Sequence, residues 1–264
     1  MVKRRVEAVT PPEIVHTLLS NSENDILVGG QALAYWTERY RLEIPTQFAA
    51  ISADVDFLTA SAAEWASVHR YARALEGEAY FPDKRAMTSL VGQAFREISE
   101  QEYLNVDVLW SLVGLDSAKV AERAASVTMD GVTFKVMHQL DVLKSRLVNL
   151  HKLRDKQNAK GEMQLRLAIG VAREFLREEA AEFAETLASG RSPIQYLVSE
   201  IERLAVEDAG RNVAARHGIH VADAIDPSLI PAGPFWTKRW PALRELMSEG
   251  CRAGFTPPQD SSSR

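Results

Sequence analysis

Apolar residues follow two different rhythms along this chain. Up to about residue 137, short apolar runs alternate with amphipathic stretches; beyond it the spacing is helical almost throughout. Pro11-Pro12 opens a helix to about Leu19, since proline is tolerated in a first helical turn. Asn21 to Asn24 is a turn, Asp25 to Gly29 a short apolar strand ending in Gly29-Gly30, and Gln31 to Tyr40 a helix. Ile51 to Leu58 alternates apolar and polar positions as a strand does. Ala62 to Leu75 is helical, and Met87 to Phe95 and Tyr103 to Leu109 are two more strands. Val127 to Val136 carries Asp130-Gly131 between β-prone flanks, the best hairpin signal in the chain.

Past His138, Leu140, Leu143, Leu147, Leu150 and Leu153 recur at helical spacing. Gly161 to Ala188 and Ile194 to Arg216 are expected helices, 218–236 a loop, Trp240 to Cys251 a final helix. The Pro/Ser-rich tail from about residue 256 is expected to fray. The predicted organisation is an α/β domain over 1–137 followed by a helical domain over 138–264. Composition fits that picture: 46% hydrophobic and 25% charged residues are ordinary for a soluble globular protein. Cys251 is the one cysteine, which excludes an internal disulfide and a CxxC zinc pair and fits a reducing, cytoplasmic compartment. The basic N-terminus leads into no signal-like apolar run, and no 18-residue apolar stretch supports a membrane span.

The net charge of −5 does not advertise nucleic-acid binding, so chemistry has to be sought locally. Asp54 and Asp56 are two apart, which places both carboxylates on one face of a strand. Val55, Phe57 and Leu58 surround them with apolar side chains. Side-by-side carboxylates repel unless a cation neutralises them, and a hard divalent ion with oxygen ligands does so. Asp107 interrupts a second apolar strand, within Val106-Asp107-Val108. Taken singly, each Asp could stand at an exposed edge, and Gly29-Gly30 could be a plain strand-to-helix turn. Glycine also lets a phosphate approach the backbone, with the following helix presenting its N–H groups. The order of these pieces along the chain is what gives them force.

A Gly29-Gly30 turn before a helix, Asp54-x-Asp56 on a second strand and Asp107 on a later one resemble the DNA polymerase β-like nucleotidyltransferase superfamily. In particular the chain resembles the nucleotidyltransferase toxins of type IV abortive-infection systems, through Leu27 to Leu33 (LVGGQAL) and Ser52-Ala53-Asp54-Val55-Asp56. The likeness covers roughly residues 25–156. It implies an α+β fold, with a minimal nucleotidyltransferase core (a small mixed sheet with helices) followed by a helical C-terminal part. It implies that Asp54, Asp56 and Asp107 are catalytic and hold two Mg²⁺ ions, with Mn²⁺ a substitute. Gly29, Gly30, Gln31 and Ser52 would bind the nucleotide, with Lys144 and Arg154 as its basic contacts. The activity implied is transfer of an NMP from an NTP to an acceptor hydroxyl, with an antitoxin protein as a partner if the toxin likeness holds. Two departures stand out: Gln31 replaces the usual Ser or Thr, and Phe48-Ala49-Ala50 lacks the basic residue often found ahead of the acidic strand.

Residues 141–166 hold seven basic and three acidic side chains, a local balance of +4. They form either a solvated helix surface or a contact for RNA or another polyanion, which favours an RNA or tRNA 3′ end over a protein or small-molecule acceptor. Trp236 and Trp240 fit core packing better than base stacking, and the histidines fit structural or surface roles. The competing function is a catalytically inactive nucleotide- or RNA-binding module on the same fold. Gln31 and the missing basic residue support it; the intact carboxylates oppose it. A phosphohydrolase would need His-Asp metal pairs that the chain does not show.

Overall fold

The computed structural model describes residues 6–48, 50–83, 85–185 and 193–258. The last residues of the tail, 259–264, and the end of the helix expected to reach Ala188 lie outside them. The chain forms two compact units, residues 1–145 and 146–264.

The first unit is built on an eight-stranded mixed sheet. In chain order its elements are β1 (Val6–Glu7), α1 (Pro12–Ser20), β2 (Ile26–Val28), α2 (Gly29–Arg39), β3 (Val55–Leu58), α3 (Trp65–Leu75) and β4 (Glu78–Tyr80). There follow β5 (Leu90–Glu97), β6 (Glu102–Leu109), α4 (Ser117–Arg123), β7 (Ala125–Met129), β8 (Val132–Val136) and α5 (Gln139–Lys152). The strand order is β4-β5-β6-β3-β2-β8-β7. Strands β1 and β3 both run parallel to β6, at its beginning and its end respectively. All three residues of β2 are buried, as expected of a central strand covered on both faces. Helix α3 turns its apolar stripe to the sheet and stacks Tyr71 on Phe57, with centroids 4.3 Å apart. The β7–β8 hairpin has the anticipated Asp130-Gly131 turn, with both φ angles positive (49° and 81°).

Strand β3 is shorter than its alternation suggested. The Ala53 carbonyl accepts both the amide and the hydroxyl of Thr10, at 3.0 and 2.8 Å. Those bonds tie the backbone ahead of Asp54 to the segment before α1 and not to a sheet neighbour. Strands β1 and β4 and helix α4 were not anticipated; each is too short to show a period.

His138 precedes α5, where its Nδ1 accepts the Leu140 amide at 3.1 Å and lies 3.3 Å from the Arg123 guanidinium. Burial, then the Arg123 charge, lowers its pKa from 6.5 to about 4. The folded protein therefore binds fewer protons than the unfolded chain between those values. The associated stability is complete above pH 6.5 and is lost as pH falls toward 4. The expected loss is at most about 3 kcal/mol, read from urea midpoints between pH 7 and pH 4.5. His138→Asn keeps an acceptor for Leu140 and should flatten this part of the profile; an unaltered slope would refute the assignment.

The second unit takes the end of α5 and adds α6 (Ala159–Glu185), α7 (Pro193–Val206), α8 (Asp208–His217), α9 (Trp240–Glu245) and α10 (Glu249–Ala253). The single helix expected over Ile194 to Arg216 is broken at Glu207. A Cβ on Gly210 would stand 2.2 Å from the Leu204 carbonyl, so glycine permits the close turn between α7 and α8. The expected loop 218–236 contains two short 3₁₀ turns, at Val221–Ala224 and Pro227–Leu229. The final helix is interrupted before Ser248, whose side chain caps α10. Trp236 and Trp240 are buried, and Trp236 Nε1 donates to the Ile230 carbonyl, which makes them core residues. Among the described residues no helix is long and apolar enough to cross a membrane.

Candidate metal centre

Parallel pairing of β3 with β6 sets Asp56 directly beside Asp107. Register partners share a face, so the two carboxylates meet. Asp54 stands one residue ahead of β3 and turns to the same place. One oxygen from each of the three lies within 4.8 Å of the others, and all three residues are half-buried. A donor set made only of carboxylate oxygens suits a hard cation such as Mg²⁺ or Mn²⁺. Its spread is compatible with a pair of ions, which in two-metal sites sit about 3.5–4 Å apart.

Neighbouring polar groups hold the carboxylates in place. Ser52 Oγ donates to Asp54 Oδ1 at 2.6 Å. Asp107 Oδ1 accepts from Gln93 Nε2 at 2.7 Å and from Asn105 Nδ2 at 2.8 Å. Just along β6, burial and then the charges of Glu7, Asp107 and Asp54 push the Tyr103 phenol above its ordinary range.

Strand β2 lies on the other side of β3, with Val28 opposite Asp56. The chain then enters α2 through Gly29, whose φ is +66°. A Cβ there would stand 1.8 Å from Asp56 Oδ2, and one on Gly30 would stand 2.2 Å from Ser52 Oγ. The first turn of α2 is thus laid against the acidic group, and no side chain caps that helix end. Gln31 follows in the same turn, half-buried.

The structure therefore joins Gly29, Gly30, Ser52, Asp54, Asp56 and Asp107 into one cluster. Lys144 is half-buried on α5 in the first unit, and Arg154 is exposed in a 3₁₀ turn of the second. Within the basic segment Arg146 is buried and donates to Gln164 Oε1 at 3.4 Å, which removes it from the cations presented to solvent. Lys152, Arg154, Lys156, Lys160 and Arg166 remain exposed. Gln93 and Asn105 did not emerge from the sequence. Asn105 was within reach, since it lies two residues before Asp107 on one strand; Gln93 depends on the β5–β6 register, which no local pattern announces.

No protein-family model matches the sequence, and no curated protein matches it. Among solved structures the chain is similar to the antibiotic-resistance factor ANT(2'')-Ia, described in solution, with 12% identity. That match covers 78% of this chain and 95% of the other, with a TM-score of 0.41.

Proposed function

We propose that this chain is a metal-dependent nucleotidyltransferase that moves an NMP from an NTP to an acceptor hydroxyl. The observation that supports it is the convergence of Asp54, Asp56 and Asp107 to within 4.8 Å, against the Gly29-Gly30 entrance to α2. Divalent ions bound there would neutralise the triphosphate and lower the pKa of the attacking hydroxyl. Asp54 and Asp56 would hold the ion that carries the nucleotide, and together with Asp107 they would hold a second ion on the acceptor side. The amides at the start of α2, from Gly29 through Gln31, receive phosphate oxygens. As the acceptor oxygen bonds to the α-phosphorus, the bond to the bridging oxygen breaks, pyrophosphate leaves and the hydroxyl proton is released. Lys144, on α5 in the first unit, supplies a cationic phosphate contact in this scheme.

The test is incubation with each α-labelled NTP, Mg²⁺ and a set of acceptors, beside an Asp54→Ala/Asp56→Ala control. Label on an acceptor, absent from the control, supports transfer. Mg²⁺-dependent nucleotide binding without transfer to any acceptor would favour the inactive binding module instead.

A second experiment addresses the amides on Asp107. Gln93→Ala and Asn105→Ala are each expected to lower kcat about tenfold, as the loss of a hydrogen bond to a charged group predicts. Both should also raise the Mg²⁺ concentration needed for half-maximal rate. A merely structural role would leave that concentration unchanged.

A further inference from the structure

We infer that the acceptor taken up beside Asp107 is a compact, amine-bearing alcohol, bound in an aromatic-walled groove on one face of the sheet. The inference rests on the transferase function proposed above. The groove is about 400 Å³ and is lined by Tyr80, Gln93, Phe95, Tyr103 and Asn105. All five belong to β4, β5 and β6, so its floor is regular strand. The pairs Tyr80–Gln93, Phe95–Asn105 and Gln93–Asp107 set these residues on the face that carries Asp107. Gln93 and Asn105 line the groove and also donate to Asp107 Oδ1, so groove and metal centre share a wall. A space of this size suits a molecule of one or two rings.

Charge selects among such molecules. Glu78 lies opposite Phe95, while Glu97 and Glu7 both lie opposite Tyr103, which places three more carboxylates on the same face. Among the positions of β1, β4, β5 and β6 on that face none is Lys, Arg or His, and Lys135 stands three strands away on β8. Such a surface repels the phosphates of a nucleic-acid strand and attracts ammonium groups. Aromatic faces add attraction for cations, and amides suit hydroxyls. The groove thus opposes the RNA end that the basic segment favoured. In the reaction, a hydroxyl of the bound amine attacks the α-phosphorus, pyrophosphate departs, and the proton passes to solvent.

Calorimetric titration of the full chain with Mg²⁺ tests this, using glucosamine disaccharide, its neutral N,N′-diacetyl twin and the trinucleotide CCA. The amine is expected to bind at least tenfold more tightly than its acetylated twin. Glu78→Gln/Glu97→Gln, at two exposed positions, should erase most of that difference without altering Tm. Equal affinity of the twins, no binding of either, or tighter binding of CCA that the double variant leaves unchanged would each overturn the inference. Mg²⁺-dependent NTP binding is measured in parallel. Its persistence alongside a failed amine titration leaves the transferase function standing and the acceptor assignment wrong; its absence removes both.

Discussion

Replacing Asp54 and Asp56 together by alanine is expected to lower nucleotidyl transfer by about a thousandfold or more, while making the metal-free protein more stable. Both effects have one cause. Three carboxylates with oxygens within 4.8 Å are held together by the β3–β6 register and by bonds from Ser52, Gln93 and Asn105. Two unit charges 4 Å apart repel by about 1 kcal/mol in water and about 4 kcal/mol near a protein surface. The fold bears that repulsion without metal and is relieved of it when a cation binds. Mg²⁺ should therefore raise the Tm of the parent protein and leave that of the variant almost unchanged. Asp54→Asn/Asp56→Asn, which keeps shape and removes charge, should reproduce both results. A destabilised variant that still responds to Mg²⁺ would mean that the carboxylates serve the fold and that the cation binds elsewhere.

What the sequence revealed and what it concealed follow from the range of the interactions concerned. Helix α1 begins at the proline pair, the β7–β8 hairpin turns at Asp130-Gly131, and α5 follows the leucine stripe, because each depends on neighbours within a turn or two. The same locality exposed Gly29, Gly30, Asp54 and Asp56 as candidates. The meeting of Asp107 with Asp56 was different. The spacing of charges made a joint site plausible, but only the parallel register of β3 with β6 brings residues fifty-one positions apart side by side. Long-range order also explains the misses. Strand β3 lost its first half to Thr10, forty-three residues away, and Arg146 is buried and donates to Gln164 across the α5–α6 turn. The acidic face around the groove is invisible along the sequence for the same reason. Glu7, Glu78 and Glu97 come together only when four strands are set in register, whereas the basic segment is contiguous and draws the eye to a polyanion.

Gly29→Ala is expected to cost activity far more than stability. At a φ of +66° an L-residue is strained by about 1–2 kcal/mol, whatever surrounds it. Gly131→Ala gives the measure of that strain alone: its φ is +81° and nothing lies within 4 Å of the added methyl group. It should lose about 1 kcal/mol of stability and keep full activity. At Gly29 the methyl would fall 1.8 Å from Asp56 Oδ2, so either the carboxylate turns away or the first turn of α2 lifts from it. A displacement of about 1 Å in a reacting group can cost about a hundredfold in rate, and kcat/KM should fall by at least that much. Gly30→Ala has no positive φ to strain, but its methyl would fall 2.2 Å from Ser52 Oγ and 2.3 Å from Ser52 Cβ, so Ser52 and the backbone that carries it must shift, and its activity should fall between the two. Rates and unfolding midpoints of the three variants separate the contributions. If Gly29→Ala lost no more activity than Gly131→Ala, the α2 entrance would be an ordinary strand-to-helix turn and the phosphates would have to bind elsewhere. If its activity collapsed while its midpoint tracked that of Gly131→Ala, the close approach of Gly29 to Asp56 would be a requirement of the reaction and not of the fold.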